Sequence, residues 1–232
     1  MTVAEQTPTN PSGGTDVMLG IAHYALLSGL CQFIPVPFAD DLADARVRRQ
    51  MVEKLLRQRG RSFDPDAVKP LWAGRSQGIL AAAGGFAKGL VLKPVKKLLS
   101  TVFFVFTIRR AILEATEALA LGHTIDRLLA AGWFADDTDA TALATSADRV
   151  SRAVEAASSG ADWRGLKLLV RQTARQFKSV RWPFRRSEQL TPEQQQTLDA
   201  ASADLRARLE TPEAQSALAR FDAEVDRHLA GG

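Results

Sequence analysis

From Val17 to Ala39 the chain carries no charged residue, and a helix built from this stretch is apolar on nearly every side. Such a helix must be covered all round, either by other helices of a core or by a bilayer. A membrane span needs roughly 20 mostly apolar residues. The run is long enough, but His23, Ser28, Gln32, Pro35 and Pro37 weaken it as a span. Two further apolar segments raise the same question. Residues 78–92 are small and apolar, with Ala81, Gly85 and Gly89 at four-residue spacing, but Lys88 interrupts them. Residues 98–108 are uncharged and contain Phe103, Phe104 and Phe106. They cover only about 16 Å of a hydrocarbon core about 30 Å thick. Three readings stay open: a buried core, helices partly embedded in a membrane, and true spans.

Everything else in the chain favours helices. Ala, Leu, Arg, Glu and Gln dominate, tyrosine occurs once, and no stretch alternates apolar and polar residues over a strand length. The expected fold is all-α, a multi-helix bundle with a hydrophobic N-terminal part and an amphipathic, basic C-terminal part. The single cysteine, Cys31, has no intrachain partner, so nothing calls for an oxidising compartment. Residues 1–16 are polar and hold no Lys or Arg, unlike a secretory or transit peptide, and read as a disordered tail.

Start and stop signals mark the helices. Asp16 is a candidate cap for a helix over 17–33, which Pro35 and Pro37 stop. A second helix spans 39–59, with acids in its first turn, bases near its end and Gly60 beyond it. Asp64 and Pro65 open a short third helix through Trp72. Pro94 starts the longest, to 121, and Gly122 separates it from a short element over 124–131. Apolar density then falls, which divides the chain into a hydrophobic domain, 17–134, and a polar, basic region, 135–232. The join around 133–139 reads as exposed. Helices follow over 140–157 and 162–181. Thr191-Pro192 and Thr211-Pro212 each place a Thr cap before a proline at the first helical position.

Ile34-Pro35-Val36-Pro37, Asp40, Gln50-Met51, Leu55 and Gly60 form a string that resembles the helical domain of YcjF-like bacterial proteins and some GTPase-linked relatives. The resemblance covers about residues 34–60 and implies association with the bacterial inner membrane. The chain has no G-x-x-x-x-G-K-[ST] loop, so no nucleotide chemistry carries over.

Catalytic constellations are weak. Asp40, Asp41 and Asp44 spell D-D-x-x-D, which looks like the Mg²⁺-binding motif of class I isoprenoid-chain synthases, and two of its carboxylates share a helix face. Such enzymes need a second Asp-rich motif opposite the first, and Asp136-Asp137-Thr138-Asp139 has the wrong spacing. The competing reading is acids at a positive helix N-terminus, with Asp44 and Arg48 as an i,i+4 pair. His23, His123 and His228 are scattered, and Cys31 has no local base. Neither a catalytic residue, a metal site nor a cofactor is expected.

The most informative feature is basic. No acid occurs between Trp163 and Ser187, whereas Arg164, Lys167, Arg171, Arg175, Lys178, Arg181, Arg185 and Arg186 do. Trp163, Leu166, Leu169, Val170, Ala174, Phe177 and Val180 fall on one helical side, the basic residues form a stripe beside it, and Trp182 and Phe184 follow. This layout suits an interfacial helix on an anionic membrane, or a helix docking on an acidic protein. It does not suit nucleic acid, because the aromatics lie on the apolar side instead of interleaving with the bases. The expected function is non-enzymatic binding of an anionic membrane surface, in the cytoplasm at the inner membrane, through these residues together with Trp182. The alternatives are an adaptor for an acidic protein and a metal-dependent diphosphate enzyme.

Overall fold

The computed structural model describes residues 12–33, 39–73, 99–136, 138–160, 162–179 and 190–231, excepting the side chains of 12–15, 39–40, 99–106 and 178–179. Among them are eight α-helices and no strand, so the chain is an all-α bundle. The helices are α1 (Ser12–Cys31), α2 (Ala39–Gln58), α3 (Pro70–Ala73), α4 (Leu99–Ala130), α5 (Ala140–Gly160), α6 (Arg164–Ala174), α7 (Pro192–Leu209) and α8 (Pro212–Ala230). Short 3-10 segments, Pro65–Val68 and Arg175–Ser179, precede α3 and follow α6.

The first helix, uncharged beyond Asp16, is the centre of the bundle. Helices α2, α4 and α7 pack around α1, and Ile21, Ala22, Ala25, Leu26 and Leu30 are buried on its different sides. Other helices supply the all-round covering that its sequence demands. The fully buried hydroxyl of Ser28 donates a hydrogen bond to Asp44 Oδ1 of α2, which removes the cost of burying it. No helix among the described residues is long and apolar enough to cross a membrane. The small-residue run 78–92 lies outside the described residues.

Several boundaries differ from expectation: the helix expected over 162–181 gives way to a 3-10 segment after Ala174, and the short third helix divides into the 3-10 segment Pro65–Val68 and α3. Helix α1 begins at Ser12, so Asp16 lies inside it and residues 12–16 are not a disordered tail. Gly122 does not end the long helix; α4 runs through it to Ala130. A Cβ there would lie 2.9 Å from both Ile21 Cγ2 and Met51 Sδ, so the glycine lets α4 approach α1 and α2 closely. The cost of a helical glycine, roughly 1 kcal/mol, is accepted for that approach.

The capped ends match their sequence signals. Thr191 forms a full capping box with Gln194, Thr211 accepts from Ala214 N, and Gly60 takes φ +69° beyond α2. Asp139 accepts from the backbone N–H groups of Thr141 and Ala142 and opens α5.

The core does not stop at residue 134. Leu198, Leu205 and Leu209 of α7 are fully buried, and they belong to one apolar cluster with Ile21, Leu119 and Ile125. The regions 17–134 and 135–232 therefore share a core. The join between them is also tied down: Phe134 is buried in a left-handed conformation (φ 57°) and Arg61 donates to Trp133 O at 3.2 Å. Asp136 accepts from Ser62 N at 2.9 Å.

Candidate functional site

Helix α6 carries the predicted basic face, and the bundle has already taken its apolar side. Trp163, Leu166, Val170, Thr173 and Phe177 are buried. The Trp163 ring lies 5.0 Å from that of Phe221 in α8, and its indole N–H donates to Ser158 O at 2.7 Å. Thr173 Oγ1 donates to Asp204 of α7 at 2.8 Å, and Gln172 Oε1 accepts from Arg208 at 2.8 Å. These contacts use up the surface that an interfacial helix would lay into lipid.

The opposite side is free. Arg164, Leu168, Arg171 and Arg175 recur at spacings that put them in one stripe, and all four are exposed. Leu168, 52% exposed, is one of two large apolar side chains so exposed among the described residues. Asp162 flanks the stripe, 3.8 Å from Arg164 Nε, but both side chains are mostly in solvent, so the pair screens little. Lys167 lies at the edge, half-buried, close enough to Glu117 of α4 for its charge to be felt there. The structure thus brings Arg164, Arg171 and Arg175 together and sets Lys167 to one side. The side chain of Lys178, and Arg181, Trp182, Arg185 and Arg186, lie outside the described residues.

A second charged feature was not visible as a site in the sequence. A cleft of about 430 Å³ opens between α2, α3, α4 and α5, with Gln32 at its margin just beyond the end of α1. Helical spacing aims its lining: Asp41, Asp44 and Arg48 on α2, Glu114 and Glu117 on α4, Ser151, Glu155 and Ser158 on α5. Five carboxylates face two guanidinium groups, Arg48 and Arg110.

Most of that charge is already paired. Arg48 Nη2 donates to Glu114 Oε2 at 2.9 Å. Its Nε is 2.8 Å from Asp44 Oδ2, near enough for an ion pair but not aligned as a hydrogen bond. Arg110 Nη2 reaches Asp41 Oδ1 at 3.3 Å. Burial pushes the Glu114 carboxyl above its usual range, against the pull of Arg48, with Asp44 and Glu117 adding to the rise. Burial raises Glu117 likewise, and Arg48 and Lys167 oppose it.

This arrangement bears on the D-D-x-x-D motif. Asp44 is held by Ser28 and Arg48, and Asp41 by Arg110, so these two carboxylates have protein partners where a metal would need them, and the side chain of Asp40 lies outside the described residues. Of the second acidic run, Asp136 caps a loop N–H and Asp139 caps α5. Among the described residues no group of three or more His, Cys, Asp or Glu side chains is placed to hold a metal ion. Cys31 is buried.

No protein-family model, curated protein or solved structure matches the chain.

Proposed function

We propose that the chain is a non-enzymatic, peripheral membrane-binding protein that adsorbs by its α6 face to an anionic lipid surface, on the cytoplasmic side of the inner membrane. The observation that carries this reading is the exposed stripe Arg164–Leu168–Arg171–Arg175, basic and apolar together, on a helix anchored from behind by the core. Adsorption replaces insertion, because the apolar side of α6 is committed to α4, α7 and α8. The segment that follows, with Arg181, Trp182, Phe184, Arg185 and Arg186, has the composition of an interfacial anchor. The resemblance of residues 34–60 to YcjF-like proteins points to the same membrane.

Co-sedimentation with vesicles tests it. Each Lys or Arg close to an anionic surface contributes about 1 kcal/mol. Replacing Arg171 and Arg175 by Ala should therefore weaken binding to vesicles rich in phosphatidylglycerol about 30-fold at low salt. Neutral phosphatidylcholine vesicles should bind neither protein, and raised salt should release the parent. Binding that ignores both lipid charge and these substitutions would refute the proposal. Failure on lipid, combined with salt-sensitive binding to an acidic protein through the same two arginines, would favour the adaptor reading.

A further inference from the structure

The basic stripe rides on a short helix that is gripped from behind. Helix α6 has 11 residues, and isolated helices below about 12–15 residues are marginal in water. Its backbone also changes form within the stripe, from α-helix at Ala174 to a 3-10 segment at Arg175. A 3-10 turn holds about 3.0 residues and an α turn about 3.6. The point of change therefore decides whether Arg175 stays in line with Leu168 and Arg171.

One carboxylate holds that point. Asp204 of α7 accepts from Thr173 Oγ1 at 2.8 Å, from Arg208 Nε at 2.8 Å and from the Gln176 side chain. Arg208 in turn donates through Nη1 to Gln172 Oε1 at 2.8 Å. Gln172, Thr173 and Gln176 bracket the change of helix form and interleave with Arg171 and Arg175 in sequence, and all three meet one acid–base pair on α7. Thr173 is fully buried, so its hydroxyl has to be matched across this seam. The hydrogen bond from Arg208, with that from Thr173, holds the Asp204 carboxyl below its ordinary range against the effect of burial, so the acid is charged at neutral pH.

That charge by itself opposes the stripe. A carboxylate beside a basic face lowers the local positive potential and with it the attraction to an anionic surface. Positioning and charge thus make opposite forecasts for neutralising this one residue.

We infer that Asp204 is the positioning residue of the α6 stripe: with Arg208 it fixes where α6 passes into the 3-10 segment, and so keeps Arg171 and Arg175 on one line with Leu168. The inference rests on the membrane reading of that stripe and adds to it a residue from another helix.

Co-sedimentation of the full chain with phosphatidylglycerol vesicles at low salt tests it, at a temperature where circular dichroism shows every variant folded. Asp204→Asn puts an N–H donor where the node needs an acceptor. It should weaken binding about fivefold, the contribution of one arginine, although it removes a negative charge. Thr173→Val leaves the charge unchanged and should also weaken binding, whereas Thr173→Ser keeps the donor and should bind like the parent. In an Arg175→Ala background, Asp204→Asn should cause little further loss. Gly29→Ala, which disturbs the packing of α1 on α4, should leave binding unchanged and so controls for general destabilisation. Binding by Asp204→Asn as tight as the parent's or tighter would overturn the inference and leave the membrane reading standing. So would parent-like binding by Thr173→Val, or an equal loss in Gly29→Ala. A parent that does not bind these vesicles would sink both.

Discussion

Glu117 shows burial and charge acting in opposite directions on one side chain. Burial raises its carboxyl above the ordinary value of 4.5, the positive charges of Arg48 and Lys167 pull it down, and Asp44 adds to the rise. A carboxyl that holds its proton more tightly when folded gives its full contribution to stability below the unfolded pKa. It loses that contribution as pH rises through the folded pKa. Glu117→Gln cannot ionise, so it should unfold at a higher temperature than the parent at pH 7. Below about pH 4, where the parent carboxyl is also neutral, the two should coincide. For a chain of this size, each kcal/mol of relieved burial cost corresponds to about 2–4 °C. Melting curves recorded across this pH range check it. A variant less stable than the parent at pH 7 would mean that Arg48 and Lys167 outweigh burial. Arg48 is the reverse case, a base held between Asp44 and Glu114. Arg48→Ala leaves both acids in the cleft without their partner, and loss of one member of a buried pair costs about 3–5 kcal/mol. Both acids are partly open to the cleft, with side chains 13% and 20% exposed, so a value at or below the lower end is expected in denaturant titrations.

At the scale of elements, the crossing of α1 and α4 depends on Gly29. A Cβ there would sit 2.7 Å from the backbone oxygen of Ala111 and 3.0 Å from Ala115 Cβ, and neither can swing away. At Gly122 the obstructing atoms are the side chains of Ile21 and Met51, and a methionine adapts readily. Gly29→Ala should therefore destabilise by about 1–3 kcal/mol, with Gly122→Ala costing less, because better helix propensity returns part of its overpacking. Equal costs in thermal or denaturant unfolding would contradict the close crossing at Gly29. These glycines also mark what a single sequence can show. Thr191, Thr211 and Gly60 act on backbone groups within a few residues, so the helix ends they make were readable as local chemistry. Gly122 looks like a helix stop under the same local rules, because its reason for being glycine lies in α1 and α2. The apolar and basic sides of α6 were equally readable from spacing. That its apolar side is covered by α4, α7 and α8 depends on the fold. The cleft lies further out of reach: Arg48 and Glu114 are 66 residues apart, and Asp41 and Arg110 are 69. Only the aspartates of the D-D-x-x-D string stood out, and their partners could not be read with them.

The whole molecule depends on contact between parts that differ in composition. Apolar density falls after residue 134, yet α1, the most apolar helix, is covered partly by α7, and α4 is covered partly by α6. His23 of α1 lies 3.5 Å from Asp199 of α7, and Arg127 of α4 makes a two-pronged pair with Asp226 of α8 at 2.8 and 3.0 Å. A chain severed at the join would leave the α7-facing side of α1 and the inner side of α6 in water. Burial of one Leu or Val side chain contributes about 1.5–3 kcal/mol, and several would be uncovered at once, against a total stability of about 5–15 kcal/mol for a typical domain. Neither half should then fold alone. Segments 1–136 and 138–232, expressed separately, should each lack a cooperative thermal transition and expose apolar surface. Co-expressed, they should associate and recover helical circular dichroism with one transition. The ties at Phe134, Trp133 and Asp136 should also protect the join from protease in the intact protein, although its composition suggests an exposed linker. Cooperative unfolding of 138–232 on its own would show that α5 to α8 have a sufficient core without α1. The exposed stripe of α6 would then rest on an independent unit.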